Sequence, residues 1–551
     1  MSWSPTLLLL GLQISTRAFT FILNQLIIRL SNPSTYGAAH IHLELLLGIV
    51  LFLSREGIRA AFLRQDDGQK PSKGTSFEGN QSYTSVSLVS IPLGLTLASL
   101  ALPFFLWSSP ELAERPHFKQ VVCFYLLSSI LELFSEPIYL HALSPRGHHD
   151  IALRVRAEGL AAVAKGAATL IAISLLPEDY GLLAFGIGQA FHGASILLTF
   201  VTTYCRRYGV QPTARLYQPR RARHRDGATD SISRLAVSLS VQSVFKHLLT
   251  EVDKLAVARL ESLEDQGGYA LGTNYASLPL RLLFQPLEES SRFQFSRDLG
   301  SAAERVCEKI PSAIKVQDES QGWAQANAAG SAATESSLEL LQGLLHLHTL
   351  FGALLLAYLP PLSRPFILAF SGSQWVSTSA PRTLAAYAVF LPVLGWSGIL
   401  EGFIQSTASQ CELKRYNLVI LASSATFGGS LWLFRGYRLG TLAITTEEAL
   451  VYSSALAMMV RGIWGWKYAQ AFFPVLEFRS LVPSWPTISA VIAGAAATRA
   501  HRGAEFALSL AAYMPLAVTA AVTGIAVVAS ICVCDRQSLL CSLAAVHGTK
   551  K

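Results

Sequence analysis

Residues 507–534 read ALSLAAYMPLAVTAAVTGIAVVASICVC, an apolar stretch of 28 residues without Asp, Glu, Lys or Arg. About 20 consecutive apolar residues suffice to cross a bilayer as an α-helix, so this stretch predicts a membrane helix. Hydrophobic residues make up 51% of the 551 residues. Charged residues are 15%, whereas about 25% is usual in a soluble domain. The composition therefore excludes a soluble enzyme, a disordered chain and a repeat solenoid.

Similar apolar blocks recur throughout the part of the chain before this stretch and predict an all-α polytopic membrane protein with about fourteen helices. The first block has no preceding basic residues and no clear cleavage site, so we interpret it as a retained helix and not a signal peptide. The predicted helices cover residues 4–30, 36–63, 84–107, 117–141, 151–176, 181–203, 231–259, 266–298, 336–359, 380–408, 416–434, 446–470, 484–500 and 507–534.

Polar segments divide the predicted helices into groups. Residues 204–230 contain seven arginines and no apolar run, which predicts a basic cytosolic linker. We therefore expect a six-helix N-lobe over 1–203 and a six-helix C-lobe over 231–470. The C-lobe contains a polar loop at 299–335, rich in Ala, Ser, Glu and Gln. Two further helices and a tail follow in 471–551.

Basic residues are concentrated in the even-numbered loops, when the loops between the predicted helices are numbered in chain order. The net charge of +8 is found in nucleic-acid-binding proteins, but a membrane protein acquires it through basic cytosolic loops, and we prefer this interpretation. The even loops are then cytosolic, as are both termini, and we expect no nucleic-acid partner. The sequon at Asn80 lies in the second loop and is predicted to remain unglycosylated.

Two sets of matches indicate an internal repeat. Two independent matches in corresponding helices favour a duplication over chance, and duplicated lobes are the usual plan of secondary transporters. At an offset of 233 residues, Tyr36, Glu56, Arg59 and Phe62 recur as Tyr269, Glu289, Arg292 and Phe295. At an offset of 269, Ile130-Leu131-Glu132 with Phe134 recurs as Ile399-Leu400-Glu401 with Phe403.

Many ionisable residues fall inside the predicted helices, where exposure to lipid is costly. In one interpretation they line a hydrated cavity, where basic side chains bind a phosphate-bearing substrate and acidic side chains bind sugar or a coupling cation. In the other they form interhelical ion pairs, or they snorkel to the membrane surface. Spacings of seven and eleven place Arg281, Glu288 and Arg292 on one helix face. Further charges occur at Glu44, Glu136, Lys246, Glu251, Asp253 and Lys254. The candidate binding or transport residues are Arg17, Arg29, Arg55, Glu56, Arg59, Glu132, Arg154, Glu158, Lys165, Arg281, Glu288, Glu289, Arg292 and Glu401.

Motifs of enzymatic chemistry are missing from the sequence. It has no Walker motif, no GxSxG and no HExxH. The seven cysteines form no C-x-x-C pair and have no His-rich partner, so neither a disulfide framework nor a zinc site is expected. We therefore expect no catalytic residues, no metal and no cofactor, and a protein that is not an enzyme.

One run resembles the signature of the Rft family: Asn274-Tyr275-Ala276-Ser277-Leu278, then Arg281, then Phe284-Gln285-Pro286-Leu287-Glu288-Glu289-Ser290. The likeness covers nearly the whole chain in order, although 204–230 and 299–335 show no clear match. The sequence departs from the expected pattern at Val252, Ala276 and Ser397. Other agreements are Thr20-Phe21 with Asn24 and Arg29, Tyr36-Gly37-Ala38, Ser54-Arg55-Glu56 with Arg59, Asp253-Lys254, Gln266-Gly267 with Tyr269, and Gly398-Ile399-Leu400-Glu401 with Phe403.

This resemblance implies a fold like that of the multidrug/oligosaccharidyl-lipid/polysaccharide (MOP) flippases and a multi-pass protein of the endoplasmic-reticulum membrane. It adds Asn24 to the candidate residues. It also implies a diphosphodolichol-linked mannose-rich oligosaccharide as partner, besides membrane lipid, in the pathway of protein N-glycosylation.

Two hypotheses follow for the function. In the first, alternating access of the two lobes moves the lipid-linked oligosaccharide between leaflets. Its diphosphate then contacts the basic candidates, and Glu132 and Glu401 contact sugar or set the charge of the cavity. In the second, the protein binds or chaperones this lipid without transport, or scaffolds glycosyltransferases of the pathway.

Overall fold

The computed structural model describes residues 5–66, 87–108, 110–143, 150–218, 240, 251–309, 332–435, 438–439, 442–501 and 509–536. Contacts within the chain divide it into two compact units, Met1–Gly267 and Gly268–Lys551. The boundary lies inside a helix that begins at Leu263.

The described part of the first unit is helical. A π-helical segment, Ala38–Leu43, joins its second and third helices, and a short 3-10 turn, Glu178–Tyr180, precedes the eighth. The helices are α1 (Pro5–Leu30), α2 (Pro33–Gly37), α3 (Glu44–Asp66), α4 (Ser90–Ser108), α5 (Pro110–Ala113), α6 (Phe118–Leu143), α7 (Ile151–Leu175), α8 (Gly181–Tyr208), α9 (Val210–Arg215), α10 (Val252–Leu260) and the start of α11 (Leu263–Pro279).

Side-chain caps set two of the helix starts in this unit. The Asn32 side chain accepts a hydrogen bond from the backbone N–H of Ser34 at 3.2 Å, and Pro33 occupies the first helical position, where its missing N–H costs nothing. Asp150 caps α7 by accepting from the backbone N–H of Leu153 at 3.0 Å. Arg207 of α8 donates to the same carboxylate at 2.7 Å, so the cap also joins α7 to α8.

A buried apolar cluster packs α6, α7 and α8 together. It includes Ile138 of α6, Ala157 of α7 and Phe200 of α8, all at most 2% exposed. The start of the predicted basic linker adds to this cluster, because Leu216 is 1% exposed. The Tyr217 hydroxyl donates to the Phe134 carbonyl at 2.7 Å, and burial raises the pKa of Tyr217 to about 12.

The second unit contains the remaining helices and a small antiparallel hairpin, β1 (Arg438–Leu439) with β2 (Leu442–Ala443). A π-helical segment, Leu280–Phe284, follows α11. Its helices are α12 (Gln285–Lys309), α13 (Ala332–Phe370), α14 (Ala380–Thr407), α15 (Gln410–Arg435), α16 (Thr446–Phe472), α17 (Trp485–Arg499) and α18 (Met514–Cys534).

Aromatic and leucine side chains form the core of this unit between α12, α13, α14 and α16. Phe403 is fully buried and contacts the rings of Phe295, Phe472 and Phe473 at centroid distances of 5.2–5.6 Å. Burial of such rings is the main stabilising contribution to the core, at about 1.5–3 kcal/mol for each fully buried side chain.

The two C-terminal helices are joined through a buried carboxylate. Asp535, directly after α18, accepts hydrogen bonds from the backbone N–H of Ser484 at 3.1 Å and from the Thr487 hydroxyl at 2.6 Å. It therefore caps the start of α17 from 51 residues further along the chain.

The prediction of an all-α polytopic membrane protein is confirmed. Among the described residues, nine helical segments are long and apolar enough to cross a membrane, from Pro33–Arg59 to Leu510–Cys534. Most of the predicted helix at 231–259, the linker from 219 onward and the sequon at Asn80 lie outside the described residues.

The predicted loop at 299–335 is wrong at both ends. Helix α12 continues to Lys309, and α13 already begins at Ala332. The segment 301–309 contains Ala, Glu, Arg and Lys, which are strong helix formers, so the helix persists beyond its apolar part.

Candidate functional site

A buried ion pair joins α3 to α6 in the first unit. Arg59 donates from Nε and Nη2 to the two carboxylate oxygens of Glu136, at 2.6 and 2.7 Å. Glu136 is fully buried, and the Arg59 guanidinium lies 4.0 Å from the ring centroid of Tyr139. Such bidentate geometry gives the strongest and most oriented Arg–carboxylate contact.

A second pair lies one turn away on the same two helices. Arg55 donates to Glu132 at 3.1 Å, and the other Glu132 oxygen lies 3.2 Å from Nδ1 of His192 on α8. Three helices therefore meet at Glu132, which is 4% exposed. Glu56, the remaining acidic candidate on α3, is half-buried.

For the charged residues of α3 and α6, these contacts favour interhelical ion pairs over the lining of a cavity. Arg55, Arg59 and Glu132 are all engaged in interhelical ion pairs within the first unit. Glu136 and His192 complete the network and were not among the candidates. The sequence shows Glu136 four residues after Glu132, whereas no sequence signal singles out His192.

A second charged cluster surrounds Glu44, at the end of the π-helical segment. Its carboxylate lies 3.0 Å from Nδ1 of His40 and 3.6 Å from Nζ of Lys165 on α7. Glu44 also interacts electrostatically with Lys254 of α10, whose ammonium lies 2.8 Å from Glu251. The side chains of Glu44, Lys165 and Lys254 are 28–34% exposed, so the cluster is accessible.

The sequence placed Lys165 among the candidates but not Glu44, His40 or Lys254. The available signals were the charges at 44 and 254 within apolar helices. π-helical segments occur frequently at functional sites, and this one places His40 and Glu44 on one side of the chain.

The other candidates of the first unit lie nearer its surface. Arg154 and Glu158 form an exposed pair at 2.8 Å, one turn apart on α7. Exposed pairs of this kind contribute little to stability. On α1, Arg17 and Arg29 are exposed and Asn24 is half-buried.

In the second unit, four polar side chains connect α12 to α14. Arg292 donates to the Gln405 side-chain oxygen at 2.8 Å, and the Gln405 amide donates to Glu401 at 3.1 Å. Glu288 is half-buried against α14. A methyl group on Gly398 would meet its Oε2 at 3.0 Å, so the glycine makes room for this carboxylate.

The contacts of the two units follow the offsets of the sequence repeat. The offset of 233 carries Arg55 and Arg59 to Glu288 and Arg292, and the offset of 269 carries Glu132 and Glu136 to Glu401 and Gln405. The pair Arg59–Glu136 thus corresponds to Arg292–Gln405, and both are hydrogen-bonded. This equivalence supports the duplication.

Arg281 and Glu289 are more exposed than Glu288. Both side chains are exposed, and Arg281 belongs to the π-helical segment Leu280–Phe284. That segment interrupts the 3.6-residue period on which the shared face of Arg281, Glu288 and Arg292 was predicted.

A family model described as Rft protein matches residues 2–544. The chain belongs to the Rft family. This family membership confirms the resemblance carried by the Phe284–Ser290 run and extends it over nearly the whole length.

Three Rft relatives share the name Man(5)GlcNAc(2)-PP-dolichol translocation protein RFT1. The Schizosaccharomyces pombe protein is 29% identical over 82% of this chain and 80% of its own length. The Saccharomyces cerevisiae protein is 27% identical over 88% and 87%. The Mus musculus protein is 29% identical over 76% and 73%.

Two solved structures share the fold of this Rft-family chain. Lipid II flippase MurJ, in an inward closed conformation, matches with a TM-score of 0.58 and 11% identity, over 96% of this chain and 99% of its own. An inward-facing multidrug resistance MATE family transporter of the MOP superfamily matches with a TM-score of 0.52 and 12% identity, over 83% and 96%. The expected MOP-like fold is therefore confirmed.

Proposed function

We propose that this protein moves a diphosphodolichol-linked, mannose-rich oligosaccharide from the cytosolic to the lumenal leaflet of the endoplasmic-reticulum membrane. The product serves protein N-glycosylation. The shared name of the Rft relatives supports this substrate, and the MOP-like fold is compatible with lipid movement.

The observation that carries the proposal is the position of Lys165. It lies in a membrane-spanning helix with 28% of its side chain exposed, and its ammonium is 3.6 Å from Glu44. That distance exceeds a hydrogen bond, so the three N–H donors of Lys165 remain available to phosphate oxygens. A cationic side chain within the membrane has a high free-energy cost unless it lines a hydrated cavity, pairs with another group or contacts a ligand.

We assign the diphosphate to Lys165 and Lys254 first, with the exposed arginines Arg17 and Arg29 of the same unit along its path. Arg55 and Arg59 instead hold helices together through Glu132 and Glu136. Glu288, Glu289, Arg292 and Glu401 provide polar groups for the sugars in the second unit. The polyprenyl chain stays in lipid, and alternating access of the two lobes moves the head group.

The protein resides in the endoplasmic-reticulum membrane with both termini in the cytosol, since basic residues crowd the even loops. Glycosyltransferases of the same pathway are partners, and the arginine-rich segment 204–230 contacts them through exposed side chains such as Arg206.

Reconstitution tests the proposal. The purified full-length protein is placed in sealed liposomes with a labelled dolichyl diphosphate oligosaccharide, and an impermeant lectin reports which leaflet displays the sugar. We expect transbilayer movement above that of protein-free vesicles, greatly reduced by Lys165→Gln. The matched control is Lys119→Gln, an exposed lysine at the start of α6, which should move lipid like the original protein.

Two results would contradict the proposal in different ways. If Lys165→Gln moves lipid normally, the site is misassigned although transport stands. If the unsubstituted protein binds the lipid tightly without moving it, the non-transporting binder or scaffold replaces the transporter.

A further inference from the structure

The first unit contains a cavity of about 1150 Å³, separate from its buried ion pairs. Among the described residues, its lining comes from positions 34–49, 97–115 and 255–266. These positions place the start of α2, the end of α4 and the end of α10 at one end of the unit. The charge pattern of the loops predicts that this end is lumenal.

One wall of the cavity is apolar and continues onto the outer surface of α4. Leu97, Leu100 and Phe104 line the cavity at helical spacing, and Leu100 and Phe104 are 68% and 59% exposed. Trp107, at the end of the same helix, is 81% exposed. Exposed apolar residues on a membrane helix face lipid, and tryptophans mark the interface with water. The wall therefore fits a hydrocarbon chain that enters from the bilayer.

The cavity lining also carries charges of both signs. Arg115 and Arg259 line it together with Glu261 and Glu264. Guanidinium groups bind phosphate oxygens, whereas carboxylates bind ammonium groups. A wholly anionic head group would be repelled by the two glutamates, but a head group with a phosphate and an ammonium complements both pairs.

We propose that this cavity binds a zwitterionic glycerophospholipid of the bilayer. Its phosphate diester contacts Arg115 and Arg259, its ammonium contacts Glu261 and Glu264, and one acyl chain lies along Leu97, Leu100 and Phe104. The size agrees, because ligand pockets of about 300–1,000 Å³ hold drug-sized molecules and this cavity is slightly larger. Glu44, Lys165 and Lys254, where the diphosphate of the transported lipid is placed, do not line this cavity, and the inference does not depend on the proposed function.

Photolabelling tests the site directly. The full-length protein is placed in nanodiscs that contain phosphatidylcholine with a photoactivatable group in the acyl chain, and labelled peptides are mapped by mass spectrometry. We expect labels within 97–105 or 255–263. Ala101→Trp fills the cavity and should abolish them. The double variant Arg115→Ala with Arg259→Ala should reduce them about tenfold, since it removes charge-assisted hydrogen bonds.

Arg435→Ala is the matched control, because Arg435 is an exposed arginine at the end of α15 and does not line the cavity. It should label like the original protein. Thermal unfolding verifies that each variant is folded.

Three results would overturn the proposal. The first is absence of label from both segments in the folded original protein. The second is equal labelling by a photoactivatable diacylglycerol, which lacks the head group. The third is displacement of the probe by a polyprenyl diphosphate at lower concentration than by phosphatidylcholine.

Discussion

Arg59 donates one hydrogen bond to each carboxylate oxygen of Glu136, at 2.6 and 2.7 Å, and so links two positions 77 residues apart in the chain. The repeat-related positions of the second unit hold Arg292 and Gln405, joined by one hydrogen bond at 2.8 Å. The first contact involves a fully buried carboxylate, whereas Arg292 and Gln405 are exposed. Equivalent contacts should therefore differ greatly in their contribution to stability.

Glu136→Ala should destabilise the protein by about 3–5 kcal/mol, because it leaves Arg59 largely buried without its partner. Thermal unfolding in detergent measures the loss. Gln405→Ala is the control and should cost less than about 1 kcal/mol, as expected for an exposed contact. Equal losses for the two variants would contradict the assigned roles.

The double variant Arg59→Met with Glu136→Leu should recover most of the stability lost in Glu136→Ala. Replacing both members of a buried pair by apolar side chains removes the unpaired charge. The same unfolding assay checks this. A double variant as unstable as the single one would show that the ion pair itself contributes the stability.

Asp535→Ala should loosen the two C-terminal helices. It removes hydrogen bonds to the Ser484 backbone and to the Thr487 hydroxyl at a buried position, each worth about 1.5–3 kcal/mol when the acceptor is charged. Limited proteolysis should then cut between α16 and α18 sooner than in the original protein. Glu477→Ala, at an exposed acid before α17, should leave the cleavage rate unchanged.

Gly37→Ala should destabilise the first unit by about 1–3 kcal/mol, the usual cost of overpacking. The added methyl group would lie 2.6 Å from the backbone nitrogen of Gly267 and 3.1 Å from its Cα, so the two helices would have to separate. Gly428→Ala is the control, because open space surrounds its added methyl. It should be neutral or stabilise the helix by about 0.5–1 kcal/mol. A larger loss for Gly428→Ala would refute this packing.

Cysteine accessibility tests the topology. In sealed microsomes, an impermeant maleimide should label Gln211→Cys directly, because this exposed position of α9 lies in the segment after the sixth predicted helix, which the positive-inside rule assigns to the cytosol. Glu178→Cys lies in an odd loop and should require permeabilisation. The reverse pattern would invert the predicted orientation.

The positions of several membrane helices could be predicted from the length of the apolar blocks, whereas the MOP-like fold was implied by the resemblance to the Rft family. The block at 484–500 became α17 at Trp485–Arg499, and that at 380–408 became α14 at Ala380–Thr407. Where helices ended in polar sequence the prediction failed, as at Lys309. In polar sequence a helix can continue through the helix propensity of its residues, without hydrophobic ones. Apolar block length therefore does not predict where such a helix ends.

The site was less predictable, because a charge pattern does not reveal its partners. Glu132 and Glu136 share a helix face, so from the sequence either one could pair with Arg55 or with Arg59. Only the packing of α3 against α6 shows which pairs form. The π-helical segments shift the register after residues 38 and 280, which a regular 3.6-residue period does not anticipate. A regular period placed Arg281 on one face with Glu288, although Arg281 lies inside the second of these segments.

The separation of 77 residues between the partners of each α3–α6 ion pair has a consequence for biosynthesis. At about 5–20 residues per second, Arg55 and Arg59 are made roughly 4 to 15 seconds before Glu132 and Glu136. During that interval Arg55 and Arg59 lie at the end of the candidate span Pro33–Arg59 without their carboxylate partners, where arginine side chains can extend to the membrane interface. The ion pairs that join α3 to α6 can therefore form only after α6 has been made, so this contact is absent during the first part of synthesis.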